Sequence, residues 1–158
     1  MPFDDVVGHD RAKALLRAAI QHNRVAHAYL FHGPGRIGKR RLAVRFIQAM
    51  CCDISPGPSG LDACGHCRSC QQIEQGSHPD LCLVSPDASG ATPRINIEAI
   101  RELESRLIYR PLMAERKFCL IDDADCLNIA AANALLKTLE EPPGYTMLIL
   151  ISSRPFAL

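Results

Sequence analysis

No apolar run in this sequence approaches the roughly 18 consecutive residues of a membrane-spanning helix, so a helical span is excluded. The N-terminus, MPFDDVVGHD, is acidic and lacks the apolar core of a secretory signal, and a cytoplasmic protein is the expectation. An excess of one charge is also missing. Lys and Arg number 18 against 17 Asp and Glu, for a net charge of +1. Composition therefore argues neither for nor against nucleic acid, and no basic stripe stands out. There is no internal repeat and no low-complexity tract, which removes solenoids and disordered linkers. What remains is ordinary globular composition, 47% hydrophobic and 22% charged, in a chain of 158 residues, long enough for one domain with a real core.

The most informative absence is a single hydroxyl. Gly33 to Lys39 reads GPGRIGK and fits the phosphate-binding loop G-x-x-x-x-G-K, but Arg40 stands where Ser or Thr belongs. In an intact loop the backbone N–H groups cradle the α- and β-phosphates. The Lys reaches the β- and γ-phosphates, and the hydroxyl ligates Mg²⁺. Arg40 cannot ligate a cation and brings a positive charge to the metal's position.

The surrounding pattern gives this motif its context. Asp10 to Asn23 has helical periodicity, with apolar positions at Ala14, Leu15, Ala18 and Ala19. Ala28 to Phe31 reads as a buried strand feeding the loop, and Arg40 to Met50 as the following helix. Asp53 to Ala63 and Pro86 to Pro93 are rich in turn residues and read as loops. Further strands are expected at Leu81 to Val84, Lys117 to Asp122 and Met147 to Ile151. Helices are expected at Ser69 to Gln75, through Ile97, Ile100, Leu103 and Leu107, and from an Asn128 cap to Glu140. In the last of these, Leu135, Leu136 and Leu139 are assigned to the inner face, and Pro142-Pro143 ends it. Alternating strands and helices predict an α/β fold with a parallel sheet.

Two constellations carry chemistry. Phe118-Cys119-Leu120-Ile121-Asp122-Asp123 is an apolar strand ending in acids, about 80 residues past the phosphate loop. In phosphoryl transfer the first acid holds Mg²⁺ and the next, usually Glu, positions water. Asp123 is one methylene shorter than Glu, and a base must come within about 3 Å of its proton. The alternative is a solvated acidic turn from Asp122 to Asp125. The second constellation is cysteine. In a reducing compartment, clustered cysteines read as metal ligands before disulfides. Cys64, Cys67 and Cys70 form C-x-x-C-x-x-C, and Cys52 can supply a fourth thiolate to a tetrahedral, structural Zn²⁺. Cys51 competes for the first position, and His66 lies inside the cluster. Cys82, Cys119 and Cys126 read as small buried hydrophobes.

HAYLFHGPGRIGK, CGHCRSC, KFCLIDDAD and NALLKTLEEPP, in this order and at these separations, closely resemble the ATPase-domain subunits of the bacterial DNA polymerase III clamp loader, tau/gamma and delta-prime. The resemblance runs from Phe3 to Pro155. It implies an AAA+ P-loop NTPase domain over residues 1–158, with a zinc-binding insertion at about 52–70. The family's sheet has five parallel strands, of which about four are expected here. The last strand, the helical lid and the collar are expected beyond Leu158. The resemblance carries Gly33, Gly35, Gly38 and Lys39 over as phosphate binders and Asp122 as the metal-site acid. Val7 and Gly8 match the segment near the adenine, and Ser152 or Ser153 is the polar sensor.

Such proteins use ATP to open the sliding clamp and place it on primer-template DNA, with tau/gamma and delta subunits as partners. The departures select among them. Tau/gamma motors carry Lys-Thr and Asp-Glu where this chain has Lys39-Arg40 and Asp122-Asp123. That drift is characteristic of delta-prime, a rigid partner with weak or no ATPase. ATP binding is then weak, its Mg²⁺ requirement is reduced, and the isolated fragment is a monomer. An active tau/gamma-type motor is the alternative reading. A small-molecule kinase would leave NALLKTLEEPP unexplained.

Overall fold

Four short apolar segments pair side by side in a wholly parallel sheet. They are β1 (Ala28–His32), β2 (Leu81–Val84), β3 (Lys117–Ile121) and β4 (Thr146–Ser152), in the spatial order β1-β4-β3-β2. Leu30 lies opposite Leu150, Ile149 opposite Leu120, and Cys119 opposite Cys82. This is a computed structural model that describes residues 2–54, 62–87 and 90–154. The described chain divides into two compact units, 1–26 with 38–78, and 27–37 with 79–158.

The sheet belongs to the second unit. β3 and β4 are buried along their whole length, which is why they read as unbroken apolar runs. The edge strand β2 exposes Leu83, and β1, expected to be buried, instead has only half-buried and exposed residues, Leu30 among the latter, because it pairs with a neighbouring strand on one side only. Helices α4 (Ile97–Leu107) and α5 (Ile129–Glu140) form the crossovers β2-α4-β3 and β3-α5-β4. They bury Ile100, Leu103, Leu107, Ala131 and Leu135 against Val84, Cys119, Ile121, Leu148 and Leu150. The N-terminus of each is capped by an asparagine side chain. Asn96 accepts from the Ala99 N–H at 3.2 Å, and Asn128 from the Ala131 N–H at 2.8 Å. One expectation fails here: Leu136 is 52% exposed. On a helix, 100° per residue turns it away from the stripe that Ala131, Leu135 and half-buried Leu139 present to the core. Cys82 and Cys119 are buried as expected, and Cys126 is half-buried.

A fully buried carboxylate fixes the segment after α4. Asp80 accepts the N–H groups of Leu112, Met113 and Ala114 at 2.6, 2.7 and 2.7 Å. Asp80→Ala removes the acceptor of all three N–H groups at once. The expected cost is about 2–3 kcal/mol, moderated because water can reach Leu112 and Met113. The check is urea unfolding, in which the midpoint falls while the slope is kept.

The first unit holds a 3₁₀ turn (Pro2–Asp5), α1 (Asp10–Gln21), α2 (Lys39–Cys51) and α3 (Arg68–Gln75). Phe3, Val6, Leu16, Phe46, Ile47 and Ile73 are buried in it. Leu15 of the expected apolar face of α1 is instead 63% exposed. Leu16 turns inward with Lys13, whose ammonium donates to the Val6 carbonyl. The helix is thus rotated by about one residue from the sequence-based assignment. Residues 55–61 and 88–89 of the two expected loops lie outside the described residues.

Candidate functional site

The phosphate-loop residues follow β1 directly. The Gly33 N–H donates to the Ser152 carbonyl at 3.2 Å, extending the β1–β4 ladder by one bond into the loop. Gly33 (φ 149°) and Gly38 (φ 91°) adopt backbone angles that a side chain would strain, so glycine is required at both. Gly38 precedes α2, and Lys39 is the first residue of that helix and is buried. Arg40 follows on the first turn and is exposed. Strand, loop and helix thus succeed one another as the motif demands. Val7, also matched by resemblance, is 90% exposed, and Gly8 follows it with φ 76°.

At the carboxyl end of β3 the acids separate into distinct roles. The Asp122 N–H donates to the Val84 carbonyl at 2.8 Å, continuing the β2–β3 ladder. Asp123 is exposed and has left-handed backbone (φ 49°). Asp125, the last acid of this turn, accepts three hydrogen bonds. It accepts the Ser152 hydroxyl, the Ser153 N–H at 2.8 Å and the Arg154 N–H at 3.2 Å. Burial alone would raise its carboxyl, but these donors hold it below the usual carboxylate range. Ser152 is buried and its proton is committed to Asp125. Ser153 is exposed, and a Cβ built on Gly35 would lie 3.8 Å from its Oγ. Both sensor candidates therefore adjoin the phosphate loop, Ser152 through its carbonyl at Gly33 and Ser153 through its side chain near Gly35. An acidic turn following one strand, beside a neighbouring strand that ends in serines, was the available signal for Asp125.

The four expected metal ligands come together. The Sγ atoms of Cys52, Cys64, Cys67 and Cys70 all lie within 4.8 Å of one another, and Cys52 and Cys67 are 4.0 Å apart. Thiolates at 2.3 Å from one tetrahedral ion stand about 3.8 Å apart, so this donor set fits a four-thiolate metal. Backbone N–H groups also point at the sulfurs. His66 and Cys67 donate to Cys64 at 3.4 and 3.2 Å, Cys64 to Cys52 at 3.4 Å, and Cys70 to Cys67 at 3.5 Å. Burial works against ionisation of Cys64, yet these donors and the neighbouring thiols bring it down to about 6. Burial pushes the thiols of Cys52 and Cys70 up. The two competing residues stand aside. Cys51 is buried outside the group, and exposed His66 turns its Nδ1 to the Cys64 carbonyl at 3.0 Å. Asp53 closes the module by accepting the Ser69 N–H and hydroxyl at 3.2 and 2.8 Å.

A parallel sheet with a glycine-rich phosphate-loop motif after β1 and acids after β3 defines a P-loop-type α/β fold, here with a four-thiol cluster that could hold a metal ion. The family model described as "DNA polymerase III, delta subunit" matches residues 8–158, and the chain belongs to that family. It is 41% identical over 133 residues to the DNA polymerase III subunit delta' of Pseudomonas aeruginosa, covering 84% of this chain and 39% of that one. It is 37% identical over 155 residues to the tau/gamma subunit of Haemophilus influenzae, covering 97% and 21%. Among solved structures, a gamma subunit-related protein from Thermotoga maritima superposes with a TM-score of 0.61 at 22% identity, covering 94% of this chain and 41% of that one. The chain thus spans roughly two fifths or less of the length of these relatives. No helix among the described residues is long and apolar enough to cross a membrane.

Proposed function

We propose that residues 1–158 are the AAA+ domain of a delta-prime-type clamp-loader subunit, a stator with little or no ATPase of its own. It works in the cytoplasm with tau/gamma and delta subunits, loading the sliding clamp on primer-template DNA. Residues at about 52–70 form its structural zinc insertion, in which Cys52, Cys64, Cys67 and Cys70 hold one ion. The observation that carries the stator reading is Arg40, a cation on the first turn of α2 at the position of the Mg²⁺-binding hydroxyl. Asp123 in place of Glu supports it, as does the delta' relative at 41% identity. The tau/gamma relative at 37% identity keeps the motor as the alternative outcome.

Gly33, Gly35, Gly38 and Lys39 would still meet phosphates at a helix N-terminus, Val7 and Gly8 the base, and Ser152 or Ser153 would be the polar sensor. Nucleotide binding is therefore expected to be weak and nearly indifferent to Mg²⁺, since the guanidinium of Arg40 stands in for part of the cation's charge. A fluorescent-nucleotide titration with and without EDTA checks this. A strong Mg²⁺ requirement would favour the motor.

A further inference from the structure

The 3₁₀ turn Pro2–Asp5 is tied to the cysteine module by two separate polar tethers, both within the first unit. The first is Asp62, buried and two residues before Cys64. Its carboxylate accepts the Phe3 N–H at 3.3 and 3.4 Å and the Ala63 N–H at 2.8 Å. Arg17 strengthens this end. Its guanidinium lies 3.9 Å from Asp62, 3.5 Å from Asp4 and 5.0 Å from the centre of the Phe3 ring. Ala63, the next residue, is fully buried and packs with Cys52, Cys64, Cys67 and Cys70.

The second tether is Arg45 of α2, whose side chain is only 10% exposed. It donates to Asp5 at 2.8–3.1 Å, to Gln48 at 2.8 Å, and to Glu74 of α3. Gln48, buried, passes the connection on by donating to the Cys70 carbonyl at 2.8 Å. The turn is therefore held on one side beside Cys64 and on the other at Cys70. Immediately past it come Val6, whose carbonyl is held by Lys13, and then exposed Val7 and Gly8.

We propose that the metal-held cysteine module is a brace for the N-terminal turn, so that metal occupancy sets the order of Phe3–Gly8, with Asp62 and Arg45 as the positioning residues. The proposal rests on the zinc reading above. An eight-residue helix such as α3 is marginal by itself. One ion drawing four thiolates together fixes Cys64 and Cys70 relative to each other, and with them the Asp62 acceptor and the Gln48 contact. Without the ion, Phe3 and Asp5 remain tethered to groups that are free to drift apart.

The test is backbone hydrogen exchange on the full-length protein, zinc-loaded and chelator-stripped. Stripping is expected to speed exchange at residues 3–8 by about tenfold or more while α2 keeps its protection, and reloading zinc restores it. Asp62→Ala should show the fast exchange at residues 3–8 even with zinc bound, and stripping should add little. Asp62→Asn, which retains an oxygen acceptor, should recover most of the protection. Unchanged protection at residues 3–8 on stripping a protein shown to carry zinc overturns the brace and leaves the zinc reading intact. Loss of protection throughout α2 overturns it too, since that is unfolding of the unit. Elemental analysis without zinc overturns the zinc reading and the brace with it.

Discussion

Cys67→Ser should lower zinc affinity at least about a hundredfold, because a serine hydroxyl replaces one of four thiolates that share the ion. Cys67 has two jobs in the structure. Its sulfur is one of the converging donors, and it also caps α3 by accepting the Cys70 N–H at 3.5 Å. A serine keeps the capping ability and loses the soft ligand. The variant therefore separates metal affinity from helix initiation. Affinity measured by competition with a chromogenic chelator should collapse. Far-UV circular dichroism should change little, because the four-stranded sheet forms in the other unit, 27–37 with 79–158. Cys126→Ser serves as the control, since that half-buried thiol lies outside the group and its loss should leave zinc untouched. Equal zinc content in both variants would remove the four-thiolate site.

The parts of this domain legible in the sequence are those written in local patterns. Leu81–Val84 is a strand with the expected bounds because a short apolar run between turn residues has few alternatives. Asn128 caps α5 as expected because a short amide beside a free N–H is a local interaction. The clustering of Cys52, Cys64, Cys67 and Cys70 was legible because their spacing is itself geometric. The hidden parts are contacts between residues far apart in the chain. Phe3 meets Asp62 across 59 positions, Arg45 meets Asp5 across 40, and Ser152 meets Asp125 across 27. No periodicity announces such pairs. Asp62 looked like one more loop residue, and Asp125 like a solvated turn, until the fold brought their partners. Leu15 and Leu136 failed for a related reason. Among adjacent apolar residues on a helix, only packing decides which of them turns inward.

Hydrolysis of ATP by the unmodified chain is expected to stay at background, and the double substitution Arg40→Thr with Asp123→Glu should restore metal-dependent nucleotide binding before it restores turnover. Two defects are expected in one reaction. Arg40 removes the hydroxyl that would ligate Mg²⁺, and it brings a positive charge to the exposed first turn of α2. Asp123 offers a carboxylate one methylene too short, on a residue with left-handed backbone (φ 49°) directly after the strand's first acid. Each defect is expected to cost on the order of a hundredfold in rate, or about 3 kcal/mol of transition-state stabilisation. Repair of the metal ligand acts on ground-state binding and should appear in a titration. Repair of the water-positioning acid acts only in the transition state and should appear in turnover. Turnover should remain low even in the repaired protein assayed alone, because the proposed subunit works beside tau/gamma partners that are then absent. Steady-state phosphate release from wild type and double mutant, alone and with tau/gamma subunits, distinguishes these steps. Robust hydrolysis by the unmodified chain alone would refute the stator reading and make the protein a motor.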